Sequence, residues 1–219
     1  VVVAPLNYLY RKGYADRVRQ YVETGGCYVT TCWSGEVDDT DLVYLGKHPL
    51  EDVLGIAPKE IDVPDGYCEN SVQYQGQSYK VTGLCGLVHA KSAEVLAQYE
   101  HDFYAGYPAL TRNNYGKGEA YYIASANEMD FLRTFYKTLL REKGLECHLN
   151  VKFPMGVTVN ERRTKDRSLW FLQNFNRTAA DVTFLEAYTN IETGEVLEGK
   201  ITMEAFECLI LEKEQGKSL

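Results

Sequence analysis

The segment Val1 to Cys32 constrains this chain most, because it reads as strand, helix and strand in succession. Val1 to Ala4 is an unbroken apolar, β-branched run, the composition of a strand buried on both faces of a parallel sheet. Tyr14 to Thr24 places Val18, Tyr21 and Val22 on one helical face, and Gly25-Gly26 supplies residues that tolerate the left-handed conformation where a helix stops. Cys27 to Cys32 returns as a strand. Strands joined through a helix run parallel with a right-handed crossover, which commits the chain to an α/β sheet.

Further along, the pattern alternates. Glu36, Asp38, Asp39 and Asp41 form an acidic loop, and Pro49 fits the first turn of a short helix through Leu54. Ser78 to Thr82, Leu84 to Ala90 and Glu94 to Tyr99 read as strands. They lead into the stretch Tyr99 to Ala124, in which Phe-Tyr-Ala-Gly-x-Pro-Ala precedes a polar turn, and Gly116-Lys117-Gly118 precedes the apolar strand Ala120 to Ala124. That is a hairpin with a pinned loop. Asn127 to Lys143 is expected to be a helix, with Met129, Leu132, Phe135, Tyr136, Leu139 and Leu140 on its apolar face, Asn127 as N-cap and Lys137, Arg141 and Lys143 near its C-terminal end.

After the helix stop at Gly144 the pattern changes to short strands alone: Gly156 to Asn160, Ser168 to Phe175, Ala180 to Phe184, Lys200 to Met203 and Ala205 to Leu211, with a turn at Glu192 to Glu195. A small antiparallel sandwich or barrel accounts for that spacing. The domain boundary is therefore placed between Leu149 and Asn150, giving domains 1–149 and 150–219, with Glu212 to Leu219 frayed.

The 219 residues are 45% apolar, enough for a packed core in one or two domains. No run approaches the roughly 20 apolar residues of a membrane span, and no signal peptide is visible. A net charge of -8 excludes a basic face for nucleic acid. Cysteines 27, 32, 68, 85, 147 and 208 form no C-x-x-C pair, so they are expected to be buried reduced thiols of a cytoplasmic protein. Histidines 48, 89, 101 and 148 lack the spacing of a metal site. Gly116-x-Gly118 is no dinucleotide fingerprint because it sits in a hairpin, and the Asn176-Arg177-Thr178 sequon is idle in a bacterial cytoplasm. No cofactor is expected.

Three segments, in this order and spacing, resemble one family. They are VVVAPLNYLY with its helix and YVTTCWSGEVDDTDL, then LAQYEHDFYAGYPALTRNNYGKGEAYYIA, then SLWFLQNFNRTAADVTFLE. Together they are similar to the family-42 glycoside hydrolases, the bacterial β-galactosidases, outside their catalytic half. The resemblance implies a flavodoxin-like, class I glutamine-amidotransferase-like trimerisation domain over 1–149 and a small antiparallel all-β domain over 150–219. It implies a parent enzyme that cleaves terminal non-reducing β-D-galactose with retention, through two glutamates on an N-terminal TIM barrel. The chain opens mid-strand without Met, so it is read as a fragment lacking that barrel and the first βα structure of the trimerisation domain. The uncovered edge is expected to self-associate.

Against that background no catalytic residue is expected here. One barrel glutamate of the family stands in an Asn-Glu pair, and this chain has two such pairs. Asn127-Glu128 is explained by a helix start, and Asn160-Glu161 lies at a strand end beside Arg162 and Arg163. A stand-alone amidotransferase-like enzyme would use Cys32 with His89 or His101 and a glutamate, but an elbow needs small flanking residues and Cys32 lies between Thr31 and Trp33. A carbohydrate-binding module is the other alternative, and Trp33 and Trp170 are its reporters. Phe103, Tyr104 and Tyr107 are candidates for packing or a subunit interface, or for lining a neighbouring barrel's sugar pocket.

Overall fold

The structure, a computed structural model, describes residues 1–64, 69–145 and 149–213. Cys68, Cys147, His148 and the tail residues 214–219 lie outside the described residues. The chain forms two compact units, Val1–Leu139 and Leu140–Leu219.

The first unit comprises β1 (Val2–Ala4), α1 (Tyr14–Glu23), β2 (Cys27–Thr31), α2 (Glu51–Leu54), β3 (Ile56–Asp62), β4 (Ser71–Tyr74), β5 (Gln77–Ala90), β6 (Glu94–Tyr99), β7 (Pro108–Tyr115), β8 (Gly118–Ile123), β9 (Ser125–Asn127) and most of α3 (Met129–Glu142). Its sheet runs β1-β2-β8-β7-β6-β4-β5-β3, with β9 also on β5. As the strand-helix-strand reading requires, β1 and β2 are parallel neighbours, Val3 opposite Val29, and β8 continues the parallel run with Tyr121 opposite Val29. Every other pairing is antiparallel. The sheet is therefore mixed, and not the clean flavodoxin-like arrangement expected. The cause is local: β4 to β5 turns through Gln75-Gly76, both at positive φ, and β7 to β8 turns through Gly116-Lys117. Strands joined by two-residue turns can only be antiparallel.

Alternation along the strands sorts the two faces. Tyr28, Ala120 and Tyr122 pack with Val18 and Val22 of α1 and Val53 and Leu54 of α2. Val29, Tyr121 and Ile123 pack with Phe131, Phe135 and Leu139 of α3. Helices thus cover both faces. At Gly118 the sheet meets the end of α1 so closely that an added Cβ would lie 2.2 Å from the Gly26 carbonyl oxygen and 2.3 Å from that of Val22.

Four sequence expectations are corrected. β1 is not covered on both faces: Val1, Val2 and Val3 are 41%, 44% and 44% exposed and belong to neither core cluster of the unit, and β2 is the one strand neighbour of β1 among the described residues. The two strands expected over Ser78–Thr82 and Leu84–Ala90 are one, β5, since Gly83 stays extended and a register shift against β9 absorbs the irregularity. Asn127 belongs to β9, where its side-chain amide donates to the Ser125 carbonyl at 2.9 Å, so it does not cap α3. The buried stripe of α3 is Phe131, Phe135 and Leu139, at i, i+4 and i+8, while Met129 and Leu140 are exposed.

The second unit holds β10 (Val151–Lys152), β11 (Val157–Arg163), β12 (Ser168–Asn174), β13 (Ala180–Asn190), β14 (Val196–Met203) and β15 (Cys208–Lys213). All pair antiparallel in the order β10-β13-β15-β12-β11, with β14 also on β13. A bulge between Phe184 and Tyr188 bends β13, which pairs with β10 and β14 before it and also with β15 beyond it. Leu172, Val182, Phe184, Tyr188, Met203 and Leu211 fill the core. Glu212 and Lys213, expected to fray, belong to β15, and Glu212 pairs with Arg167.

Candidate interaction surface

The loops that leave the C-terminal ends of β1 and β2 are held against each other. The Leu6 amide donates to Thr31 Oγ1 at 2.8 Å, the Asn7 amide to Ser34 Oγ at 3.0 Å, and the Gly35 amide to the Asn7 carbonyl at 2.9 Å. Two bulky residues take the left-handed region here, Leu6 at φ 46° and Trp33 at φ 61°. Such a conformation costs on the order of 1–3 kcal/mol at a non-glycine residue and collects where function over-determines the backbone. Its result is an apolar display: Leu6, Tyr8 and Trp33 are 58%, 44% and 44% exposed and line a hollow of about 330 Å3. Tyr8 and Trp33 meet edge to face at 6.2 Å. The exposed valines of β1 belong to the same unit. An exposed apolar cluster on such backbone is a candidate contact surface.

The same elbow decides the fate of Cys32. The residue at positive φ after β2 is Trp33, so the indole occupies the place where a nucleophile elbow would present its side chain. Cys32 itself is buried against Gly86. Burial, then the neighbouring Cys85 and Glu36, push its thiol up to about 11, the opposite of an activated thiolate. Among the described residues no histidine hydrogen-bonds to it: His89 packs on the Tyr107 ring and His101 is exposed. Sequence reading passed over His48 as a structural group. Its Nε2 lies 2.7 Å from the Ser34 carbonyl and its Nδ1 accepts from the Leu50 amide at 3.1 Å. Both ring nitrogens are engaged, and burial lowers its pKa. The glycine at 35 permits this, since a Cβ there would lie 2.7 Å from His48 Nε2, and its φ is 73°.

The two Asn-Glu pairs lie in separate units. The Glu128 carboxylate accepts from the Lys80 amide at 2.8 Å, and Glu161 pairs with Arg163 at 2.8 Å. Each is consumed by local structure. The three candidate aromatics part company in space. Tyr104 is fully buried and donates to Asp62 Oδ2 at 2.8 Å, Tyr107 packs half-buried on the core, and Phe103 is 75% exposed. Trp170 is buried edge-on to Tyr188, whereas Trp33 is exposed. Cys27, Cys32 and Cys85 are buried without disulfides, but Cys208, expected to be buried, is exposed.

Comparison with known proteins gives the surface its context. Residues 1–146 match the family described as Beta-galactosidase trimerisation domain, and residues 156–213 that described as Beta-galactosidase C-terminal domain. Beta-galactosidase Pbg of Clostridium perfringens is 37% identical over 97% of this chain and 32% of its own. Beta-galactosidase GanA of Bacillus subtilis is 34% identical over 96% of this chain and 32% of its own. The solved β-galactosidase of Bacillus circulans sp. alkalophilus superposes with a TM-score of 0.85 at 37% identity, covering 97% of this chain and 32% of that one. The chain spans about a third of the length of the curated relatives it matches.

Proposed function

The chain belongs to the family of β-galactosidase trimerisation domains, continued by the matching C-terminal domain, and from this we propose that its task is to hold copies of a β-galactosidase together rather than to break glycosidic bonds. The observation that carries the proposal is the Leu6, Tyr8 and Trp33 hollow, an exposed apolar surface on strained backbone within the region that matches the trimerisation family. Its occupant in this reading is a second copy of the chain. Fully burying one large apolar side chain contributes roughly 1.5–3 kcal/mol, and these three, about half exposed, would each add about half of that on contact.

The parent protein, in this reading, is a bacterial cytoplasmic hydrolase of terminal β-D-galactosides that assembles as a homotrimer. Its two catalytic glutamates sit on a barrel preceding this region. The names and lengths of the relatives support that reading, as does the local engagement of Glu128 and Glu161. The parallel β1-β2-β8 run is the part of the sheet that suits an amidotransferase-like ancestry, with domains divided at 149 and 150. Exposed Phe103 and half-buried Tyr107 are, in this reading, further candidates for contact with a neighbouring copy or its sugar pocket.

Sedimentation of the chain over a concentration series tests the association: self-association that Trp33→Glu abolishes supports it, and a strictly monomeric mass at high concentration overturns it. Incubation with a chromogenic β-galactoside tests the division of labour. Turnover by this chain that disappears in Glu128→Gln or Glu161→Gln would place the chemistry here instead.

A further inference from the structure

A separate cavity of about 160 Å3 opens on the first unit between the loop after β2 and the β3–β5 pair. Two side chains in it have nothing to bind. Tyr122 is 96% buried, from its 4% exposure, and its hydroxyl has no hydrogen-bond partner among the described residues. Glu36, facing it across the cavity within electrostatic reach, has neither a hydrogen-bond nor an ion-pair partner for its carboxyl among the described residues. Glu36 is half-buried and Tyr122 buried, so whatever occupies the space between them completes their hydrogen bonding. Lys59 stands at the rim on a bulge, where Pro58 pairs with Val88 and Glu60 with Leu87, and the bulged residue is left out of the ladder. Bulges of this kind recur beside binding sites because they re-aim a side chain.

We propose that this cavity is a binding site for one small neutral polyhydroxylated molecule, of the size of a single monosaccharide, held between the Glu36 carboxyl and the Tyr122 hydroxyl. Size and chemistry both point there. The cavity, about 160 Å3, lies below the volume of sites for drug-sized ligands and suits a ligand of one sugar ring. A carboxyl and a phenol together accept and donate, as vicinal hydroxyls require, and the Tyr44 ring and Val43 supply an apolar wall for the ring carbons. An anion is disfavoured by Glu36 and Glu60, and a cation finds Lys59 already at the rim. The site uses other side chains than the Leu6, Tyr8 and Trp33 surface, although the Glu36 amide ties the two loops together by donating to the Tyr8 carbonyl at 3.0 Å.

Calorimetric titration of the whole chain with D-galactose, D-glucose and myo-inositol tests the proposal, with D-galactosamine and galactose 6-phosphate as charged comparisons. Expected is saturable binding of at least one neutral ligand, with a dissociation constant on the order of millimolar. Tyr122→Phe and Glu36→Gln keep the shape of the cavity and should each weaken it roughly threefold to tenfold, the effect of one lost hydrogen bond. Circular dichroism and the melting temperature confirm that each variant is folded. The proposal is overturned if no neutral ligand saturates, if only a charged sugar binds, or if binding is unchanged in the folded Tyr122→Phe and Glu36→Gln variants.

Discussion

The side-chain amide of Asn113, on β7, donates to the backbone carbonyl of Val53 at 2.9 Å and to that of Asp52 at 3.2 Å. These are carbonyls at the C-terminal end of α2, which a helix of this length cannot satisfy internally. Ser92 Oγ completes the arrangement by donating to Asn113 Oδ1 at 2.9 Å. Asn113 is buried, so Asn113→Ala should cost about 1–3 kcal/mol, read as a lower urea midpoint with an unchanged slope. Asn113→Asp should cost more, since its carboxylate would face two carbonyl oxygens. Equal stability of the wild type and Asn113→Ala would mean that the bridge is incidental.

Thr111 presents the opposite case on the same strand. It is 1% exposed and its Oγ1 has no hydrogen-bond partner among the described residues. Thr111→Val keeps the shape and removes an unsatisfied hydroxyl, so it should raise stability by about 1 kcal/mol. A destabilised Thr111→Val in thermal unfolding would show that the hydroxyl has a partner in solution.

These two residues also show how much of the fold the sequence made legible. The strand-helix-strand start and the Gly116-Lys117 hairpin could be read because each depends on residues within one turn of each other: the Val18 and Val22 spacing, the Gly25-Gly26 stop, the glycine at 116. The mixed sheet could not, because β4 is only four residues long and its tight turn rests on Gln75 at φ 52°, a residue without turn preference. Asn127 was misread since cap and strand-edge roles use the same short amide, and only tertiary pairing with β5 decides between them. At the surface, Trp33 carried a signal, a bulky residue where an elbow wants a small one. Leu6 carried none, and the cavity that Glu36 and Tyr122 share brings together a loop and a strand far apart in sequence.

The cysteines offer a labelling test of the elbow geometry. With its thiol pushed up to about 11 and its side chain buried, Cys32 should resist iodoacetamide at pH 8 in the native chain. Buried Cys27 and Cys85 should resist as well, while exposed Cys208 is alkylated. Peptide mass spectrometry after timed labelling reads each site, and full labelling in urea provides the reference. Rapid alkylation of native Cys32 ahead of Cys208 would revive a thiol nucleophile.

His48 should make stability depend on mild acid. Its Nδ1 accepts from the Leu50 amide while Nε2–H donates to the Ser34 carbonyl, so a further proton must displace the Leu50 bond and place a charge where burial already lowers the pKa. The folded pKa lies below the unfolded value of about 6.5, and between the two the unfolded chain binds the extra proton. The contribution is therefore fully present above about pH 6.5 and is lost as pH falls toward the folded value. Glu36 works in the opposite direction: burial raises its pKa, so its contribution favours the folded state as pH falls. Comparing wild type with His48→Gln separates the two, because Glu36 is common to both. Urea midpoints at pH 7.5, 6.0 and 5.0 should fall more steeply in the wild type than in His48→Gln, which starts lower at pH 7.5 through loss of the imidazole bridge. Parallel pH profiles for the two proteins would show that His48 keeps its charge state through this range and that the Leu50 bond is not what acid breaks.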